Sequence, residues 1–360
     1  MSSHASLDLS RTSVELTADI CNIDSVSGNE QTLADAIEAA LTGLPHLEII
    51  RNGNALVAKT NLGRAQRVVI AGHIDTVPVN NNLPVRWSED EGAEWLWGRG
   101  TVDMKAGVAV AVKLATELTE PAYDITWIWY DNEEVASELN GLGRLATLSP
   151  ELLQADFAIL GEPSNSTVEG GCNGTLRVEV RTHGVRAHSA RAWKGENAIH
   201  KLAPALAALA AYSPATVTVD GLDYREGLSA VGISGGVAGN VIPDEAVLTV
   251  NYRFAPDKTV AQALAHVEEV FAGFEVVVTD SAEGARPGLT AALAQDFVAA
   301  VGAVPMPKYG WTDVARFSAL GIPAVNFGPG DPSLAHTDDE RVLTSQILEC
   351  ERALRSWLSK

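Results

Sequence analysis

The sequence predicts an α/β fold with a mostly parallel sheet, helices on both faces of that sheet and an inserted α+β segment. Short apolar runs alternate with helical patterns in the first half of the chain, the same pattern returns near the C-terminus, and a different pattern lies between them. Alternation of apolar strands with helices is typical of a parallel sheet whose two faces are covered.

The apolar runs predict the strands of this sheet, at residues 68–71, 125–130, 157–160 and 322–327. Between the first two lies MKAGVAVAVKLATEL, which begins at Met104 and whose length and Ala, Val and Leu content predict a helix packed on the sheet. Residues 344–358 predict an amphipathic closing helix. Both ends of the chain therefore contribute to one α/β domain.

The middle of the chain predicts a different architecture. Its segments follow the order strand 176–184, helix 197–212, strand 227–237, strand 246–254, helix 259–273 and strand 274–279. This is the β-α-β-β-α-β order of a ferredoxin-like domain. We predict an insert at residues 176–288 and a discontinuous catalytic domain at residues 1–175 and 289–360.

Composition and charge exclude several classes of partner. Twenty-six Lys and Arg face 46 Asp and Glu, a net charge of −20, and no concentrated basic patch is present, so nucleic acid is not an expected partner. The N-terminus lacks a basic start followed by an apolar run, and no stretch approaches the roughly 18 to 20 apolar residues of a membrane span. Cys21, Cys172 and Cys350 are far apart, which favours thiols in a reducing compartment. We expect a cytoplasmic protein with no membrane partner.

Imidazole and carboxylate side chains follow the predicted strands, at the edge where an open α/β sheet binds its ligands. They are His73 and Asp75 after the first strand, Asp103 before the helix, Glu133 and Glu134 after the second strand, Glu162 after the third and His336 after the last. Each alone is more often a surface or structural group. Together they would repel one another strongly unless cations neutralised them. Imidazole with carboxylate oxygen suits Zn²⁺, or Mn²⁺ and Co²⁺ in substitution, and two histidines among five ligands indicate two ions.

Seven short motifs carry a family resemblance. The strings GHIDTVP, GRGTVDMKAG, Glu133-Glu134, GEP and AHTDDE, with GVRAHS and GNVIP in the insert, resemble the di-zinc amidohydrolase family of aminoacylases, acetylornithine deacetylase, succinyl-diaminopimelate desuccinylase and related carboxypeptidases. The resemblance covers nearly the whole chain. It implies a zinc-peptidase-like catalytic domain, an insert that serves as lid and dimerisation domain, and a homodimer.

The resemblance also implies a ligand set and a cis peptide bond after Asp103. Asp103 would bridge two Zn²⁺ ions, with His73 and Glu162 completing one site and Glu134 and His336 the other. Asp75 would orient His73, since residues two apart on a strand share a face.

Further residues have roles that the resemblance implies for the reaction. Glu133 would be the general base, taking a proton from the metal-bridging water and returning it to the leaving amine. His188 would reach the active site of the neighbouring subunit and stabilise the oxyanion there, and Asn240 would add a polar contact. The alternative for His188 is a surface histidine near a turn.

The substrate is predicted from anion recognition. Arg253 and Arg316 resemble positions that surround substrate carboxylates in the family, and a guanidinium suits such groups. The segment around residues 171–174 and the string GWTDVARF resemble the desuccinylases of high-GC Gram-positive bacteria and depart from the enterobacterial pattern. This implies that the substrate is a small anionic acyl-amino acid, N-succinyl-LL-2,6-diaminopimelate. Its hydrolysis would give succinate and LL-2,6-diaminopimelate.

Other functions remain open at this point. The same ligands would serve an acetylornithine deacetylase or another N-acyl-amino-acid deacylase, and a metallo-carboxypeptidase or dipeptidase is a weaker alternative. A catalytically silent binding protein is disfavoured because it has no need of Glu133. GISGG, at residues 232–236, satisfies the serine-hydrolase string G-x-S-x-G, but the breakers after it do not predict the helix that a nucleophile elbow requires.

Overall fold

The computed structural model describes residues 6–90 and 92–360 and forms two compact units. The first unit contains Met1–Gly170, Pro287–Met306 and Thr312–Lys360, and the second contains Gly171–Arg286 and Pro307–Trp311. Residues 1–5 of the predicted catalytic segment lie outside the described residues. The domain limits predicted from the sequence, and the role of the insert as lid and dimerisation domain, stay predictions.

A mixed sheet forms the centre of the first unit. Seven of its eight strands follow the hydrogen-bonded order Glu48–Asn52, Ala55–Lys59, Asp124–Tyr130, Arg67–His73, Phe157–Leu160, Ala324–Asn326 and Glu169–Gly170. The four strands from Asp124–Tyr130 to Ala324–Asn326 run parallel, and the others pair antiparallel at the edges. Every residue of Asp124–Tyr130 and of Phe157–Leu160 is buried, as expected for strands covered on both faces. The predicted mostly parallel sheet is confirmed.

Helices pack around this sheet. In the first unit they span Ser13–Cys21, Gln31–Leu41, Lys105–Glu117, Gly141–Leu148, Ala292–Val301, Val314–Ala319 and Thr344–Leu358. Lys105–Glu117 contacts strand Arg67–His73 and the helices Ser13–Cys21 and Thr344–Leu358, so that all its residues from Lys105 to Ala115 are buried. Ala, Val and Leu predominate in its sequence, which suits a helix that is buried over most of its length.

A small antiparallel sheet completes the first unit. Arg86–Asp90, Ala93–Trp97 and Arg341–Leu343 form it, with Ala93–Trp97 in the middle. Its pairing brings a segment near the C-terminus beside the loop that precedes helix Lys105–Glu117.

The second unit has the ferredoxin-like order that the sequence predicts. Its antiparallel sheet has the strand order Gly227–Gly235, Glu245–Phe254, Gly174–His183 and Glu275–Ala282. The helices are Ala198–Lys201, Ala203–Ala211 and Val260–Val270, with a hairpin of Thr216–Val219 and Leu222–Arg225. Alternate residues of the central strands, such as Val178 and Val250, are buried and form a separate core.

The local structure contradicts one expectation from the sequence and excludes one alternative function. The single helix predicted at 197–212 is wrong: it is broken at Leu202, because Pro204 lacks the N–H that a continuous helix would need and instead occupies the first turn of a new helix. Ser234 lies within strand Gly227–Gly235, with no helix directly after it, which excludes the nucleophile elbow.

Neither a disulfide bond nor a helix long and apolar enough to cross a bilayer occurs in the described part of the chain. All three cysteines are buried. The expected cytoplasmic location stays a prediction.

Candidate metal centre

Three parallel strands deliver predicted ligands to one edge of the sheet. His73 is the last residue of Arg67–His73, Glu133 and Glu134 follow Asp124–Tyr130, and Glu162 follows Phe157–Leu160. Because neighbouring parallel strands end at the same edge, these side chains converge.

Ligand atoms of six predicted residues approach one another closely. Three groups each have their nitrogen and oxygen atoms within 4.8 Å of one another: His73, Asp103 and Glu162; Asp103, Glu134 and His336; and His73, Glu133 and Glu134. The cluster therefore contains the five predicted ligands and the predicted base.

Asp103 lies between the two histidines. Its Oδ1 is 3.0 Å from Nε2 of His73, and its Oδ2 is 3.3 Å from Nε2 of His336. The same nitrogen of His336 is 2.9 Å from Oε1 of Glu134. One carboxylate thus presents a separate oxygen to each half of the cluster, which is the arrangement that a bridging ligand requires.

The backbone around Asp103 is closely packed. The Asp103–Met104 peptide bond is cis, as the resemblance implies, and helix Lys105–Glu117 begins directly afterwards. The Met104 side chain lies against Gly72, where a Cβ would come within 2.6 Å of its Cε. Glycine at position 72 therefore lets the start of the helix approach the strand that carries His73.

Asp75 contacts the imidazole of His73 and also accepts hydrogen bonds from three other residues. His73 Nδ1 lies 3.1 Å from the main-chain oxygen of Asp75 and 3.5 Å from its Oδ1, so the main-chain oxygen is the nearer acceptor. The buried carboxylate also accepts the main-chain N–H of Glu133 at 3.0 Å and that of Glu134 at 3.1 Å, and the hydroxyl of Ser27 at 2.7 Å. It therefore fixes the backbone of the predicted base and of a predicted ligand.

Buried carboxylates crowd the cluster and shift the pKa values of its side chains. Burial raises the pKa of the Glu133 carboxyl well above its ordinary value; the carboxylates of Asp313, Glu162 and Glu134 add to this, and His73 opposes it. Burial disfavours the charged form of His73, but hydrogen bonds with Asp103 and Asp75 outweigh it and raise the pKa of His73 well above its usual range. Such crowding is relieved when cations bind.

The donor atoms fit a divalent transition metal. They are imidazole nitrogens and carboxylate oxygens without sulfur, a set that suits Zn²⁺, Mn²⁺ or Co²⁺. His73 and Glu162 are buried and His336 is exposed, so the cluster extends from the interior to the surface. The residues present therefore fit the metals that the sequence predicts.

Sequence reasoning missed three buried carboxylates that support the loops of the cluster. Glu30 accepts the main-chain N–H groups of Gly28 at 2.7 Å and Asn132 at 3.3 Å. Glu340 accepts from the loop that carries Asp103, and Asp313 accepts from Asn140 at 3.0 Å. Glu340 is the last residue of the AHTDDE string and Asp313 lies within GWTDVARF, so both were within motifs that could have drawn attention to them, whereas Glu30 was not.

Arg316 lies in the first unit with its guanidinium already engaged. Its Nε donates to Asp313 at 2.5 Å, and one terminal nitrogen donates to Ser137 at 2.9 Å. Its predicted contact with a substrate carboxylate stays a prediction.

The remaining predicted contacts lie in the second unit. His188 is exposed at the end of a two-residue strand that pairs with Val241–Ile242, and its Nδ1 accepts the N–H of Ala190. The main-chain oxygen of Asn240 accepts from Ser189 at 2.9 Å. Within the described residues the side chain of Arg253 has no hydrogen bond or ion pair, and burial and the neighbouring Arg177 lower the pKa of its guanidinium. The roles predicted for these side chains stay predictions.

Comparison with known proteins assigns the chain to a family. The model of peptidase family M20/M25/M40 matches residues 69–360. The chain is 54% identical over 355 residues to a Mycobacterium tuberculosis protein named "Putative succinyl-diaminopimelate desuccinylase DapE", covering 98% of this chain and 99% of that protein. It is 49% identical over 366 residues to the succinyl-diaminopimelate desuccinylase of Corynebacterium glutamicum, covering 98% of each.

A solved structure agrees on the fold. A tripeptidase of Staphylococcus aureus matches with a TM-score of 0.77 and 22% identity, covering 98% of both chains. The family that the motifs indicate is confirmed by a match over most of the chain and by two close relatives. The chain belongs to peptidase family M20/M25/M40.

Proposed function

We propose that this chain hydrolyses N-succinyl-LL-2,6-diaminopimelate to succinate and LL-2,6-diaminopimelate. Family membership and the candidate ligand clusters indicate a metal-dependent amidohydrolase. The observation that carries the reaction class is the position of Asp103, with one oxygen towards each histidine and Glu133 in the same cluster. The substrate rests on the names of two relatives that are 54% and 49% identical to the chain.

The cluster would hold two Zn²⁺ ions, for which Co²⁺ or Mn²⁺ can substitute. His73, Glu162 and Asp103 would hold one ion, and Glu134, His336 and Asp103 the other. Ions bound in such sites polarise a carbonyl oxygen and lower the pKa of a coordinated water.

Glu133 would move the proton of the reaction. Its carboxylate accepts a proton from the attacking water and returns it to the leaving amine nitrogen, so that the amide bond breaks without releasing a strong base. Asp75 supports this role, since its carboxylate accepts the main-chain N–H of Glu133 and limits the movement of that residue.

The second unit would provide substrate contacts and a dimer interface. The half-buried guanidinium of Arg253, which makes no ion pair within the described residues, suits a substrate carboxylate, and Arg316 of the first unit would meet another. His188 and Asn240 would act in the active site of the partner subunit. Val231 and Ile233, 61% and 57% exposed on the edge strand Gly227–Gly235, support pairing with a second copy.

Substrate comparison tests this proposal. Purified protein is stripped of metal with a chelator, restored with Zn²⁺, and assayed for release of succinate from N-succinyl-LL-diaminopimelate and of acetate from N-acetylornithine. Zinc-dependent succinate release with little action on N-acetylornithine supports the proposal. Preference for N-acetylornithine, or inactivity on both with zinc bound, contradicts the substrate assignment.

A further inference from the structure

A buried ion pair of Arg99 and Glu340 contacts the main chain at Asp103. Glu340 is 0% exposed and Arg99 is 3% exposed, and Nη1 of Arg99 donates to Oε2 of Glu340 at 2.6 Å. The other oxygen, Oε1, accepts the main-chain N–H of Val102 at 3.0 Å and that of Asp103 at 3.2 Å. Neither side chain belongs to the ligand set or to the proposed proton transfer.

The position of Glu340 is set by the small antiparallel sheet. The next residue, Arg341, pairs with Trp97, and the main-chain oxygen of Glu340 accepts the N–H of Gly98 at 2.9 Å. The backbone of Glu340 is therefore held by contacts that do not involve its side chain. A carboxylate on a fixed backbone can in turn hold a loop.

The loop from Gly98 to Asp103 needs such support. Gly100 has a φ of 83°, and a Cβ there would lie 2.9 Å from Cγ2 of Thr76, so the turn is tight. After this turn, the N–H groups of Val102 and Asp103 both point to Glu340. A small shift of this loop would move the Asp103 carboxylate away from both imidazoles.

We propose that Glu340 is a positioning residue that holds Asp103 between the two halves of the metal cluster, with Arg99 as the counter-ion that lets Glu340 do so. His336 and Glu340 lie four residues apart on one segment, which thereby carries both a predicted ligand and the acceptor for the Asp103 main chain. The inference rests on the proposed function only in requiring that the cluster binds metal.

Two double variants separate positioning from fold stability. R99M/E340Q and R99M/E340M both remove the buried charges at similar volume, but only glutamine keeps an oxygen that can accept from Val102 and Asp103. Zn²⁺ affinity is measured by competition with a chromophoric chelator, at a temperature where thermal melts of the metal-free proteins show both to be folded. We expect R99M/E340Q to bind Zn²⁺ nearly as the parent does and R99M/E340M to bind about 10- to 100-fold more weakly.

Equal Zn²⁺ affinity in the two double variants would overturn the inference and leave the pair a purely structural one. Should the methionine variant not fold, E340D replaces it: the charge remains but the carboxylate withdraws from the two N–H groups, and at least about tenfold weaker binding is expected. An unchanged affinity of E340D would equally overturn the inference.

Glu226 provides a matched control in the second unit. It is a buried carboxylate that accepts the N–H of Ala255 and the ammonium of Lys258, both at 2.8 Å. E226Q should lower the melting temperature without changing Zn²⁺ affinity. Because these readouts need no substrate, a parent that binds Zn²⁺ but releases no succinate contradicts the proposed substrate alone.

Discussion

Replacement of Asp75 by asparagine tests how the predicted base is held. The Asp75 carboxylate accepts two main-chain N–H groups, from Glu133 at 3.0 Å and Glu134 at 3.1 Å. Asparagine has nearly the same volume, but its NH₂ group must face one of these donors. At least one charge-assisted hydrogen bond is then lost, worth about 1.5 to 3 kcal/mol. If the whole of this free energy is added to the activation barrier, kcat decreases by about 10- to 150-fold.

The assay is steady-state succinate release at saturating Zn²⁺, with the metal content of each preparation measured in parallel. S27A is the matched control, because it removes the hydroxyl that donates to Asp75 Oδ2 at 2.7 Å and leaves both N–H bonds in place. We expect its kcat to fall by less than about tenfold. A D75N enzyme with parental kcat would refute the positioning of Glu133 by Asp75, and a loss of activity in proportion to lost metal would assign the effect to the ligands instead.

The other predictions concern the base, the ligands and the second unit. E133Q should lower kcat by at least about 100-fold with metal content unchanged, and activity within tenfold of the parent would remove Glu133 from the role of base. H336A should reduce bound zinc from two ions per chain towards one by elemental analysis; two retained ions would contradict its ligand role. H188A should lower kcat with metal intact, and an unchanged rate would return His188 to a surface histidine. I233K places a charge on the exposed edge strand and should convert a dimer to a monomer in sedimentation experiments, whereas a parent that is already monomeric would contradict the interface.

The elements that could be predicted from sequence are those whose burial leaves a simple pattern. Strand Asp124–Tyr130 is buried throughout, so its apolar run was recognisable without any knowledge of its neighbours. The second unit was recognisable for the opposite reason, since strand Glu245–Phe254 buries every second residue. The segment predicted as one helix at 197–212 forms two helices because Pro204 interrupts the helical hydrogen bonding within a run that is otherwise rich in Ala and Leu.

The ligand cluster could be predicted because its members lie at the end of a strand, in the loop after one, or just before a helix. Topology then brings them together, so that the ligand atoms of His73, Asp103 and Glu162 lie within 4.8 Å of one another. The main-chain contacts that hold the cluster in place could not be predicted in this way. Asp75 and Glu340 act through main-chain N–H groups 58 and 237 or more residues away in sequence, and such contacts leave no periodicity and require no particular partner residue.

Anomalous diffraction at the zinc edge, from crystals of the zinc-loaded protein, would locate the ions bound to the cluster. We expect two peaks on each chain, both in contact with Asp103, one beside His73 and Glu162 and the other beside Glu134 and His336. A single peak, or a second peak that does not contact Asp103, would contradict the two-ion centre on which the proposed reaction depends.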